Sequence, residues 1–201
     1  MKLALLSLVV LPAALWSASA ATPVTSASTL AAPAAEAKTL TIDAVHSTVM
    51  FRCMHLNTSW AYGRFDKFSG TIVVDGEKSS VTIDIDPSSV NTANGARDEH
   101  LKGPDFFDVK QFPKASFQST KVTPTGDKAM KVEGNLTFHG VTKPASFVIE
   151  KTGSVNDPKF GKKHGFHGTL TIKRSEYGVT YMPGGLGEDV EITVSLEGNE
   201  G

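Results

Sequence analysis

Apolar and polar residues alternate with a period of two along most of the chain, in eight stretches separated by clusters of Gly, Pro, Asn and Asp. Three stretches carry the pattern cleanly. Val81, Ile83 and Ile85 alternate with Thr82, Asp84 and Asp86; Met130, Val132, Leu136 and Phe138 with Lys131, Glu133, Asn135 and Thr137; Val190, Ile192, Val194 and Leu196 with Glu191, Thr193, Ser195 and Glu197. Successive side chains of a strand point to opposite sides, so each stretch predicts a strand with one apolar face and one wet face. Leu40 to His55, Gly63 to Asp75, Ala115 to Thr120, Ala145 to Glu150 and Phe166 to Arg174 follow the same scheme less strictly. In the first of these Met50 and Met54 fall on the polar side, which predicts a covered outer face. Arg97 to Asp108 breaks the pattern: polar residues precede Leu101, and Gly103-Pro104 supplies a stop, so a short helix and a turn are expected there.

The chain is therefore expected to be all-β. One-sided strands must hide their apolar faces between two sheets or inside a closed barrel, because no helical layer is available to cover them. A barrel has the further advantage of removing exposed edges.

The first residues read differently. Lys2 is followed by an apolar run from Leu3 to Val10 that resumes beyond Pro12 to Trp16, and then by Ala18-Ser19-Ala20. This is the layout of a signal peptide cleaved after Ala20, and the run is too short and interrupted for a membrane anchor. Residues 21–37, rich in Ala, Thr, Ser and Pro, have no apolar period and are expected to form a flexible tether. Residues 38–201 are the size of one domain.

Charge and cysteine content narrow the function classes. Lys and Arg number 20 and Asp and Glu 21, with no basic run, which disfavours nucleic acid as a partner. The single cysteine, Cys53, cannot form an intrachain disulfide, although export would place it in an oxidising compartment. The six histidines show neither H-E-x-x-H nor Cys/His zinc spacing, so no metal site is expected. No nucleophile elbow is present, and the glycine-rich Met182 to Gly187 lacks the Lys-Ser and helix signal of a phosphate loop.

An eight-stranded barrel is wide enough either to be filled by side chains or to hold one small ligand. The expected inner face mixes large residues (Phe51, Phe65, Phe117, Phe138, Phe147, Phe166) with small ones (Gly70, Ala115, Ser119, Gly134, Ala145, Gly168). Small residues could taper a packed core. They could equally leave room for an apolar tail, and burying about 400 Å² of it at roughly 25 cal/mol per Å² would supply on the order of 10 kcal/mol before association costs. His55 shares the inward face with Phe51 and Cys53. His46, Arg97, Asp98 and Arg174 are candidates for a polar cluster at the barrel mouth.

Four blocks, IDAVHSTVMFRCMHL with GRFDKFSGTI, SVNTANGARDEHLKGPDFFDVKQFPKASFQST, GNLTFHGVTKP, and GFHGTLTIKRSEYGV with EDVEITVSLE, occur in this order. Together they make the chain resemble the YceI-like, polyisoprenoid-binding family over nearly all of residues 38–201. The resemblance implies an eight-stranded antiparallel lipocalin-like barrel, with a short helix in the connection around residues 97–108. It implies export to the periplasm and a bound polyprenyl chain, isoprenoid quinone or fatty amphiphile, with no enzymatic activity and no cofactor beyond that lipid. Carried over, the lumen lining is Phe51, Phe65, Phe68, Ile83, Phe117, Leu136, Phe138, Phe147, Phe166, Leu170, Ile172 and Ile192, and the head-group contacts are His46, His55, Arg97 and Arg174. Contact with a membrane or membrane protein for ligand exchange, and a homodimer, are compatible with this reading. Its rivals are an enzyme acting on such lipids and a packed barrel serving as a protein-interaction module.

Overall fold

The computed structural model describes residues 37–201. The expected signal peptide, and the expected tether up to residue 36, lie outside the described residues. The chain runs through β1 (Lys38–Ile42), β2 (Thr48–His55), β3 (Ser59–Phe65), β4 (Phe68–Val74), β5 (Ser80–Ile85), β6 (Val90–Asn91), α1 (Gly95–Lys102), β7 (Ala115–Pro124), β8 (Ala129–Phe138), β9 (Val141–Asp157), β10 (Gly161–Lys173) and β11 (Leu186–Glu200). All pairings between these strands are antiparallel. A closed ring runs β1-β4-β5-β7-β8-β9-β10-β11 and returns to β1. The fold is thus all-β, an eight-stranded antiparallel barrel with one short helix.

Two of the eight alternating stretches, Leu40 to His55 and Gly63 to Asp75, are each broken in two, and a third break follows the stretch Val81 to Asp86. β1 and β2 both pair with β11, β1 at Gly198 to Glu200 and β2 between Leu186 and Ser195. Between them the chain turns at residues 43–47, where Asp43 N donates to Glu197 O (2.8 Å) and Glu197 N donates to Ser47 Oγ (2.8 Å). β3 and β4 part at Asp66 and Lys67, whose amides donate to Ser89 O (3.1 Å) and Ser89 Oγ (2.9 Å). β5 and β6 part at the 3-10 turn Pro87–Ser89. This band of breaks separates β1, β4 and β5, which belong to the closed ring, from β2, β3 and β6, which extend the sheet away from it. Met50, on the outer face of β2, is exposed among the described residues and not covered as expected.

The closed ring is packed solid. Leu40, Ile72, Val81, Ile83, Phe117, Val132, Ile149, Phe166 and Leu196 form one buried cluster. Gly70 and Gly134 leave no space in it, which is the tapered-core alternative of the sequence analysis, whereas Ala115 borders open volume. A Cβ built on Gly134 would lie 2.7 Å from Phe117 Cζ, and one on Gly70 would lie 2.8 Å from Ile42 Cδ1. Absence of a side chain on one strand is what admits a large side chain from its neighbour, so small and large residues interlock as in a tapered barrel core.

The helix begins earlier than expected, at Gly95, and ends at Lys102, before the expected stop. Asn94 caps it, its side chain accepting from Arg97 N (3.0 Å), and Gly103-Pro104 stops it. Phe106 and Phe107 fall in the following loop, and Phe107 is buried against Phe51, Phe65 and Phe138 at ring-centroid distances of 6.3, 5.8 and 5.6 Å.

Candidate functional site

Beyond the packed ring, the extension encloses a cavity of about 520 Å³. Period-two alternation along β2 turns Val49, Phe51, Cys53 and His55 into it. Across the ladder Phe51 faces Ile192 on β11 and Gly63 on β3, Cys53 faces Val190 and Ala61, and His55 faces Leu186 and Ser59. Gly63 lets the Phe51 ring lie flat over β3, since a Cβ there would come within 2.7 Å of Phe51 Cε1. Only Arg64 and Phe65 of β3 pair with β6, so the wall on the far side of Ser59 to Gly63 is completed by Leu101 of α1 with Phe106 and Phe107.

The lining is apolar apart from a few groups. Arg174, on the 3-10 turn that follows β10, is 5% exposed, and its guanidinium donates to Gly187 O (3.0 Å), Val179 O (3.0 Å), Tyr181 O (2.8 Å) and Leu186 O (3.3 Å). Cys53 Sγ also donates to Gly187 O, at 3.3 Å. Burial pushes the thiol up from its ordinary range, against the pull of the Arg174 charge. Arg97, exposed on α1, is oriented by Thr92: its Nε donates to Thr92 Oγ1 and its Nη2 to Thr92 O, both at 2.8 Å. Asp98 accepts from Thr92 N (2.8 Å), and the Thr92 hydroxyl holds its carboxyl below the usual range. No Asp or Glu lines the cavity among the described residues.

Of the residues expected to line a lumen, Phe51, Phe65, Leu136, Phe138, Ile172 and Ile192 do line this cavity. Ile83, Phe117 and Phe166 belong to the packed cluster, with Phe68, Phe147 and Leu170 against it. They sit on the closed ring, where Gly134 admits the Phe117 ring and Gly168 that of Phe147. His55, Arg97 and Arg174 reach the cavity wall. Val49, Ala61, Leu101, Phe106, Phe107 and Val179 were not anticipated. The alternation with Phe51 could have found Val49, and the adjacent phenylalanines of the otherwise polar GPDFFD segment could have found Phe106 and Phe107.

This arrangement matches known proteins. A YceI-like domain profile covers residues 40–198. The chain belongs to the YceI-like family. This YceI-like chain is 40% identical over 156 residues to a UPF0312 protein of Pseudomonas paraeruginosa, spanning 76% of this chain and 81% of the relative. It is 39% identical over 156 residues to protein YceI of Salmonella newport, with the same coverage. Among solved structures, the Campylobacter jejuni YceI protein superposes with a TM-score of 0.63 at 29% identity, over 74% of this chain and 90% of that one. BcnA of Burkholderia cenocepacia gives a TM-score of 0.72 at 24% identity, over 78% and 98%. A polyisoprenoid binding domain from Saccharophagus degradans gives 0.61 at 18% identity, over 81% and 98%. The last two are likenesses of fold.

One expected head-group residue of the YceI-like chain stands elsewhere. His46 lies in the turn between β1 and β2 and does not reach the cavity; its Nδ1 is 3.0 Å from Asp43 and 3.8 Å from Glu197. The strand breaks before Ser47, which takes His46 out of the inward alternation. Asp43, His46 and Glu197 come close enough to hold a cation. The Lys163 ammonium already sits there, 2.6 Å from Glu197 and 3.5 Å from Asp43, and supplies the positive charge.

Proposed function

We propose that this chain is a binding protein that takes up a long-chain amphiphile of the polyisoprenoid or isoprenoid quinone type in the cavity between β2, β3, β8, β11 and α1. The carrying observation is the cavity itself: about 520 Å³, walled by Phe, Val, Ile and Leu with a handful of polar groups. Its volume and lining are those of a small-molecule site rather than of a packing defect. The Saccharophagus degradans domain of the same fold, named as polyisoprenoid binding, supports the choice of ligand class.

An enzyme acting on such lipids is the weaker reading. Cys53, the one thiol in the wall, is held in its protonated form by burial, the reverse of what a nucleophile needs. The leader-like first residues support export, and carriage of the lipid across the periplasm is the role that follows. Native mass spectrometry of protein recovered from its own compartment tests the reading. A bound hydrophobic mass that extracts into organic solvent is expected. Protein that neither copurifies with lipid nor takes up a prenyl or quinone analogue refutes it.

A further inference from the structure

Five large apolar side chains stand exposed around the opening of the cavity. Leu56, Trp60, Tyr62, Tyr181 and Met182 are 38–52% exposed. All but Leu56 also line the cavity, so they sit where its wall meets solvent. Leu56 joins them from the turn between β2 and β3: its amide donates to Gly185 O at 2.7 Å, which ties that turn to the 182–185 loop. The Arg52 guanidinium lies 4.4 Å from the centre of the Trp60 ring and holds the ring at the surface.

Two of the five break local rules to be there. Leu56 has a φ of 49° and Met182 one of 53°, in the left-handed region that Gly or Asn occupies at much lower cost. Each position thus combines an exposed apolar side chain with a strained backbone, and a single polar residue, Asn, would relieve both. Folding gains nothing from either choice. Strained positions of this kind gather at ligand clamps and other functional sites.

Area, charge and continuity select the occupant. The five side chains present a few hundred Å² of apolar surface, the size of a functional patch. That is short of the roughly 800 Å² that each partner buries in a stable protein pair. Trp and Tyr, with an apolar body and a polar tip, are the side chains that settle at membrane–water interfaces. Arg97 supplies a fixed positive charge at the opening, and among the described residues no Asp or Glu lines it, which suits the phosphates of a lipid surface. The rim also runs without a break into the apolar cavity wall. We propose that this rim docks on a phospholipid bilayer, with Leu56, Trp60 and Met182 inserted at the headgroup level, so that the cavity opens onto the membrane. This rests on the carrier reading above and deepens it, since the bilayer surface becomes the place where the ligand enters and leaves.

The chain carries its own reporter. Of its two tryptophans, Trp16 falls in the expected signal peptide, which leaves Trp60 alone in the exported protein. With vesicles of phosphatidylethanolamine and phosphatidylglycerol, that protein should pellet, its Trp60 emission should shift to the blue, and brominated lipids should quench it. Leu56→Asn should cut vesicle partitioning severalfold while leaving uptake of a short, water-soluble prenyl analogue unchanged. Leu56→Asn together with Met182→Asn should cut partitioning by roughly tenfold or more, the scale of withdrawing two large apolar side chains from lipid. Because Asn tolerates a left-handed backbone, both variants should melt no lower than the wild type. Wild type that stays in solution with unmoved Trp60 emission overturns the docking, and leaves the carrier reading standing if the same sample takes up the analogue. Variants that pellet like the wild type overturn the assignment to this rim. A dimer in vesicle-free buffer that the double variant returns to monomer would make the rim a contact between copies and overturn the bilayer. Refusal of the analogue with vesicle binding intact overturns the carrier reading and keeps the docking surface.

Discussion

The thiol of Cys53 and the guanidinium of Arg174 share one acceptor, the carbonyl oxygen of Gly187, at 3.3 and 3.0 Å. This places the only cysteine of the chain in the cavity wall, next to the buried cation. Cys53 thereby reports on the cavity. Burial keeps the thiol protonated at neutral pH, and the thiolate is the reactive form. A small maleimide is expected to modify Cys53 far more slowly than free cysteine at pH 7.5, and more slowly still once a prenyl analogue is bound. Labelling rates read by intact mass check this, and a rate indifferent to ligand would place the lipid elsewhere.

The division of the barrel into a solid ring and a hollow extension predicts two opposite phenotypes. Gly134→Ala thrusts a methyl against Phe117 and the backbone of β7, and should lower stability by about 1–3 kcal/mol with ligand uptake unchanged. Ala115→Phe projects into the cavity and should abolish uptake. Denaturant midpoints and lipid titration of the two variants read both effects. The reverse assignment, lost binding in the first and intact binding in the second, would show that the tail lies in the ring.

Acid should loosen the corner where β1, β10 and β11 meet. The Glu200 carboxylate is hydrogen-bonded by His164 (2.9 Å), Lys38 (3.0 Å) and Lys162 (3.1 Å), and these partners, His164 foremost, pull its pKa from 4.5 to about 2. The folded value lies below the unfolded one. The stabilisation is therefore complete above roughly pH 4.5 and is lost as the pH falls toward 2. Glu200→Gln should lower the melting temperature at pH 7 and flatten its decline across that acid window. A wild-type slope retained in the variant would assign the acid sensitivity to other carboxylates, such as Asp43, which His46 holds low.

The proposed export would fix the mature terminus. A protein cleaved after Ala20 begins at Ala21, and the intact mass of material recovered from the periplasm should correspond to residues 21–201. Recovery of the full 201 residues there would remove the signal-peptide reading.

The alternation of Val81-Ile85, Met130-Phe138 and Val190-Leu196 was sufficient to specify strands, because which face a strand buries is decided residue by residue along the chain. So were the count of eight stretches and the helix before Gly103-Pro104. The helix start was missed because Asn94 reads as one more turn residue until its side chain is seen accepting from Arg97 N. The break at residues 87–89 coincides with the end of the Val81–Asp86 alternation at Pro87, but those at residues 43–47 and 66–67 were invisible. Alternation continues across them, and what cuts the strands is hydrogen bonding between segments far apart in the chain, Ser47 with Glu197 and Ser89 with Lys67.

The site divides along the same line. The sequence by itself determined that Phe51, Phe117 and Phe138 point inward and that His55 shares their face, since period two allows no other choice. Only the tertiary structure decided that Phe117 fills the ring while Phe51 and Phe138 line a cavity. That outcome depends on what stands opposite each ring, Gly134 at close contact in one case and open volume in the other. It also decided that His46 is turned away and that Arg174 is buried without a counterion. Position along a strand fixes direction, whereas packing density and the pairing of charge are set by neighbours that the linear sequence does not bring together.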